Sequence, residues 1–216
     1  MNRFQQQGQS QGQQQGQQQG MRYGAHEFLA TQETLSAECT NIELYGVLIN
    51  MCQDAHLRDI LSNQQRRMVQ CYQQGVNVLI SHGYQPSVPH TPQTNVYEQL
   101  QIGLHNPQFQ PPNPQTTRLS DQAIASVALN VHKLGALTCM NAALESANPA
   151  LRQFHATSAN TCQEMAYELF QFANYKGYYQ VPQLANHTMN SMLQAYGQPS
   201  AQQPAFQQQM FASQNY

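Results

Sequence analysis

The sequence predicts an all-α protein: a ferritin-like four-helix bundle made of two repeated helical hairpins, with disordered Gln-rich tails. Three observations carry this reading. Leu57-Arg58 recurs as Leu151-Arg152 and Gly83-Tyr84 as Gly177-Tyr178, each pair displaced by 94 positions, the signature of a duplicated unit. Apolar residues of helical period fill the interval between the pairs and the stretch before each Leu-Arg. Capping residues precede, and glycine and proline follow, the segments so marked.

The first 24 residues are dominated by Gln and Gly, an arm that cannot bury enough apolar surface to offset its ordering entropy. The bundle is expected over 25–182. Its first helix runs from about His26 to Gln53, with Phe28, Leu35, Ile42 and Ile49 every seven residues, interleaved with Cys39, Tyr45 or Gly46, and Cys52. The second runs from about Ala55 to His82 after an Asp54 cap. Its stripe is Leu57, Leu61, Met68, Tyr72, Val76 and Leu79, with Gln65 as a polar interruption; Gly83, Pro86 and Pro89 stop it. These form a hairpin over 25–84. A proline-rich linker, 85–118, is long enough to run the length of the bundle, which favours a crossover connection.

The second hairpin is expected over 119–179. Its first helix begins at the Ser120 cap with Asp121 in the first turn, and shows Ile124, Val127, Val131, Leu134 and Thr138 on one face. The next begins at Asn148-Pro149, buries Leu151, Phe154, Cys162, Met165, Leu169 and Phe172, and ends at Gly177. Helices of this length, about 27 residues, are about 40 Å long. Residues 183–216 then read as a short helix followed by a Gln- and aromatic-rich adhesive tail.

Composition narrows function. Only 9% of the 216 residues are charged, against about 25% in ordinary domains, and 39 are glutamine. Such a surface is solvated without being held apart from its copies by charge. The net charge of -2 argues against a nucleic-acid partner. No apolar run approaches the roughly 18 residues of a membrane span; the longest, Tyr45 to Met51, is short. The N-terminus has no apolar leader core, so no signal peptide is expected. Five cysteines, Cys39, Cys52, Cys71, Cys139 and Cys162, form no Cys-x-x-Cys pair and read as small core residues of a reducing compartment.

A ferritin-like bundle invites a search for a di-metal carboxylate centre, which needs Glu on two helices and Glu-x-x-His on the other two. The pattern is absent. The second helix has no Glu, Glu164 is followed three residues later by Tyr167, and Glu168 by Gln171. Glu38 flanks the first seam and reads as a water-facing position. His132 and His155 lie near the seam of the second pair and read as hydrogen-bonded interior imidazoles. The interior is therefore expected to hold no matched acid-and-imidazole set. No catalytic, cofactor-binding or metal residue is assigned and the chain is read as no enzyme. The eight residues singled out, Leu57, Arg58, Gly83, Tyr84, Leu151, Arg152, Gly177 and Tyr178, are structural marks of the repeat. Arg58 and Arg152 sit in helix first turns, where the dipole disfavours a cation, so a compensating contact is expected, across the hairpin turn or to a carboxylate such as Asp54 or Asp59.

The pattern Asp54-x-x-Leu57-Arg58-x-x-Leu61, then Tyr72, then Gly83-Tyr84 resembles the spore coat protein F family of endospore-forming bacteria. The second copy, Ala147-Asn148-Pro149-Ala150-Leu151-Arg152 through Gly177-Tyr178-Tyr179, resembles it more closely. The resemblance covers about 25–182 and departs in the Gln-rich tails and at His56. It implies a helical bundle without established enzymatic activity, made in the mother-cell cytoplasm and placed in the spore coat. Its partners would be other coat proteins or copies of itself. Two further functions compete: a metal-binding or redox bundle with atypical ligands, and an adaptor that binds another coat protein.

Overall fold

The computed structural model describes residues 23–80, 90–92, 100–105 and 111–196. Five helices follow in order: α1 (Ala25–Met51), α2 (Ala55–Leu79), α3 (Asp121–Glu145), α4 (Pro149–Tyr175) and α5 (Asn186–Ala195). The arm through residue 22, the tail from 197, and Gly83, Tyr84, Pro86 and Pro89 lie outside the described residues.

Two hairpins pack side by side. At one end of the bundle the amides of Gln53 and Asp54 donate to Asp121, and Lys176 pairs with Asp54 at 2.7 Å. At the other, His26 meets Glu145, and Val78 packs with Leu151 and Phe154. Thus α1 runs antiparallel to α3 and α2 to α4, which makes the order up-down-down-up. α2 ends at one end of the bundle and α3 starts at the other, so the connection between them must traverse its length. The described linker residues lie along that route. Asn63 donates to the carbonyl of Thr91, Gln101 exchanges hydrogen bonds with Asn174, and Gly103 bonds Val181. This is the one-crossover connectivity of ferritin-like bundles.

The caps explain where the helices begin. Asp54 accepts from the amides of His56 and Leu57, and Asn148, 94 residues later, accepts from Ala150 and Leu151. The same offset relates two longer contacts. Glu27 accepts from the amide of Asn148, and Asp121 accepts from the amide of Asp54. Each hairpin therefore lends an acid to the turn of the other. Gly177 ends α4 at φ 73°, with the amides of Tyr178 and Tyr179 returning to the Ala173 carbonyl.

The α4 stripe is the one its sequence predicts, with Leu151, Phe154, Met165, Leu169 and Phe172 buried and Cys162 partly so. The other three helices depart from expectation. α1 buries Glu27, Thr31, Tyr45 and Leu48, while Phe28 is exposed and Leu35, Ile42 and Ile49 are only partly covered. α2 buries Gln64 and Arg67 among its leucines, and Tyr72, Val76 and Leu79 are half-buried. α3 turns Ala125, Ala128, Ala142 and Ala143 inward and leaves Leu134, Leu137 and Leu144 at 64%, 70% and 71% exposure; Thr138 is also exposed. Small residues let α3 lie close against its neighbours, so its bulky side chains are excluded. α3 is also long and apolar enough to cross a membrane by length and composition, a match that counting uninterrupted apolar runs misses. In the structure it is one wall of the bundle.

Candidate functional site: a polar relay inside the bundle

Between the four helices lies a buried polar chain to which every helix contributes one side chain: Tyr45 from α1, Gln64 from α2, His132 from α3 and Glu168 from α4. His90, from the crossover linker, completes it. All five are buried. The Tyr45 hydroxyl donates to Gln64 Oε1 at 3.0 Å. His132 Nε2 lies 2.6 Å from that hydroxyl and 3.1 Å from Gln64 Oε1. With the tyrosine proton already committed, both contacts are satisfied when Nε2 carries hydrogen and donates. The Gln64 amide donates to Glu168 Oε2 at 2.7 Å and to the Met165 carbonyl at 3.1 Å. His90 Nε2 reaches the same Glu168 oxygen at 2.8 Å.

Burial sets the electrostatics. Desolvation, aided by His90, lowers the His132 imidazole to about 3, so it is neutral at physiological pH. Desolvation first, then the thiol and carboxyls nearby, pushes the Tyr45 phenol well above its ordinary value. Glu168 Oε2 meets the Gln64 amide and the His90 ring nitrogen, so it is tied to α2 and to the linker at once. A satisfied network of this kind fixes the register of the elements it joins.

A second interior layer follows the 94-residue offset, which carries His132 onto Glu38 and Tyr45 onto Cys139. Glu38 is half-buried and lines a cavity of about 20 Å³ with Cys71, Cys139 and Cys162. It is not the water-facing residue its flanking position suggests, and burial raises its carboxyl to about 7. Burial likewise raises Cys71 to about 11, Cys139 to about 12 and Cys162 well above its ordinary value, so these are thiols rather than reactive thiolates. Cys39 is exposed, against the expectation of a core residue, and Cys52 is buried at the α1 C-cap.

His155 and Thr31 make a third contact. The Thr31 hydroxyl donates to the Glu27 carbonyl, so His155 Nε2 donates to Thr31 Oγ1 at 2.9 Å, and burial lowers the imidazole to about 4. His132 and His155 are thus the interior, hydrogen-bonded imidazoles that their positions predict. The expectation of no acid-and-imidazole set is overturned by His90 and Glu168, which are 78 residues apart. A search for Glu-x-x-His within helices cannot find a pair whose histidine comes from a linker. Among the described residues, no three or more His, Cys, Asp and Glu side chains are placed to hold a metal ion. Gln64 stands between Glu168 and His132.

The repeat residues that are described lie at the ends, away from this relay. Leu57 and Leu151 are fully buried. Arg58 Nη2 donates to the Cys52 carbonyl at 2.6 Å, the contact across the hairpin turn, while Asp54 pairs with Lys176 instead. Arg152 is exposed at the matching position, and Tyr178 packs edge-on to Phe172 beyond Gly177. A surface cavity of about 790 Å³ lies at that end, lined by Leu104, Pro112, Arg118, Tyr178 and Tyr179, with none of the relay groups in its wall.

Helical walls, one crossover and a closed polar interior define a crossover four-helix bundle without an open reaction centre among the described residues. A family profile, the Coat F domain, matches residues 120–182, which are α3, α4 and the turn after them. Spore coat protein F-like protein YhcQ of Bacillus subtilis (strain 168) is 29% identical over 189 residues, 85% of each chain. Both likenesses are to the spore coat protein F-like family, which the chain resembles over α3 and α4 by profile and over most of its length by sequence. Among solved structures, that of a candidate spore coat protein from Bacillus halodurans C-125 aligns with a TM-score of 0.57 at 18% identity, covering 76% of this chain and 96% of that one. A conserved hypothetical protein, rv2844, from Mycobacterium tuberculosis aligns with a TM-score of 0.50 at 13% identity, covering 69% and 98%. At these identities the two structures speak to the fold alone.

Proposed function

We propose that the protein is a non-catalytic structural component of the spore coat, a rigid helical unit built into an insoluble layer during sporulation. The observation that carries this reading is the likeness to a spore coat protein F-like protein across most of both chains. The surface supports it. α3 presents Leu134, Leu137 and Leu144 outward, and a chain with so few charges does little to keep neighbouring proteins away. The partners are other coat proteins or further copies of the chain. Tagged protein followed through sporulation will appear with the mother cell's late products and fractionate with the mature spore. An abundant soluble pool in growing cells would reject the proposal.

The relay gives a metal-binding reading one supporting observation, since each helix contributes a polar side chain at one level of the bundle. Stoichiometric iron or manganese in freshly purified protein would favour it. Normally folded, metal-free protein would end it.

A further inference from the structure

α3 is more apolar than its place in the bundle requires. Only 33% of its most apolar 18-residue stretch is buried. Leu134, Leu137, Met140 and Leu144 recur every turn along one outward stripe, at 64%, 70%, 40% and 71% exposure. The charges that flank the stripe are engaged within the chain. Lys133 lies over the Tyr179 ring, 5.2 Å from its centroid, and Glu145 meets His26.

α5 offers a second uncovered face. None of its residues is fully buried, and it contains no Asp, Glu, Lys or Arg. Met189, Met192, Leu193 and Tyr196 fall at the i, i+3, i+4 and i+7 positions of one helix face. The last three are 53%, 68% and 84% exposed, and Leu184, just before the helix, is 55% exposed. The two faces match in length. Leu134 to Leu144 spans about 15 Å and Met189 to Tyr196 about 10 Å. Yet they sit toward opposite ends. Pro182, which leads into α5, shares a cavity wall with Ser120 at the start of α3, whereas the stripe fills the half of α3 nearer Glu145. A twofold axis that sets α3 of two copies antiparallel brings the α5 base of each toward the stripe of the other.

We propose that two copies of the chain exchange α5, each laying its Met189–Tyr196 face on the Leu134–Leu144 stripe of the other. Area selects this occupant. At about 200 Å² for a free side chain of this size, each face presents roughly 500 Å² to water. Stacking α3 on α3 would bury only about 1,000 Å² and leave α5 bare, whereas reciprocal exchange covers up to about 2,000 Å², the range of stable interfaces. A lipid surface would call for free cations around the stripe, and its one lysine is taken by Tyr179. The exchange rests on the structural reading above and names a second copy as the partner.

The test is sedimentation equilibrium of the full chain across the micromolar range. Wild type will form a dimer. Leu137→Glu with Leu144→Glu, and separately Met192→Glu with Leu193→Glu, will each weaken it at least about a hundredfold. Helical circular dichroism will not change, because these side chains are exposed. The two double variants, mixed, will pair again more weakly than wild type, since one intact α5 then meets one intact stripe. A monomeric wild type overturns the exchange, including one that floats with anionic phospholipid vesicles. So does a dimer that survives the α5 variant, which would be α3 stacked on α3, or a mixture that stays monomeric. Monomeric protein that still fractionates with the mature spore overturns the exchange and leaves the structural reading standing.

Discussion

Lowering the pH through the mildly acidic range will destabilise the bundle, and replacing Glu38 will make the dependence steeper. His132 and His155 are held by burial at about 3 and about 4, against 6.5 for a free imidazole. Between pH 6.5 and the carboxylate range, the unfolded chain therefore binds two protons that the folded chain refuses. Glu38 has the opposite sign. Its folded value of about 7 lies above the free value of 4.5, so there the folded chain holds a proton that the unfolded chain has lost. The net excess for these three groups is one proton on the unfolded chain. Each proton is worth about 1.4 kcal/mol per pH unit, so stability falls by about 1.4 kcal/mol for each unit of acidification. Glu38→Gln removes the offsetting proton and raises the loss to about 2.7 kcal/mol per unit. Solvent screening at half-buried Glu38 trims the difference between the two slopes to about 1 kcal/mol. Urea unfolding followed by helical circular dichroism across this pH range measures both slopes, and the remaining histidines cancel in the comparison. Equal slopes would mean that Glu38 is ionised in the fold, which would refute the account of its cavity.

Other substitutions probe packing and caps. A Cβ at Gly75 would sit 2.6 Å from both Leu35 Cδ2 and Phe154 Cζ, so Gly75→Ala will cost about 1–3 kcal/mol in urea midpoint through overpacking. Gln64→Leu strips donors and an acceptor from Glu168, Tyr45 and His132 together, and will cost about 3–5 kcal/mol by the same measurement. Glu27 accepts from the amides of Gly24 and Asn148; burial alone would raise its carboxyl, but these hydrogen bonds hold it lower. Glu27→Ala will lower stability by about 1–2 kcal/mol at neutral pH, with the difference shrinking once acid protonates the wild-type carboxylate. Gly177→Ala, forced to φ 73°, will cost about 1 kcal/mol and lower the melting temperature by a few degrees.

Helix positions and their starts were legible because caps and proline act locally. Asp54, Ser120 and Asn148-Pro149 declare their role within a turn. The inward face of α4 was legible because its large residues are the buried ones. On α1 and α3 that logic fails. α1 is apolar on several sides and buries Glu27 and Thr31, whose polar groups are met by partners over one hundred residues away. α3 buries alanines, and apolar bulk then marks the wrong face. The relay was hidden for a related reason. Gln64 sits beside Gln65, which pointed the reading one residue off, and nothing local to His90 shows that a proline-rich linker returns it to Glu168. The signal that could have found it was the length of the linker itself, since a segment running the height of the bundle must touch it somewhere.

Glu27 and Asp121 each serve the turn of the opposite hairpin. The stretch recognised as a Coat F domain, 120–182, contains Asn148 but not the carboxylate that secures its amide, and offers Asp121 to a corner it does not contain. The matched stretch is thus only half of the bundle whose ends these two acids join. Either half, expressed alone, would be expected to seek another half to complete it.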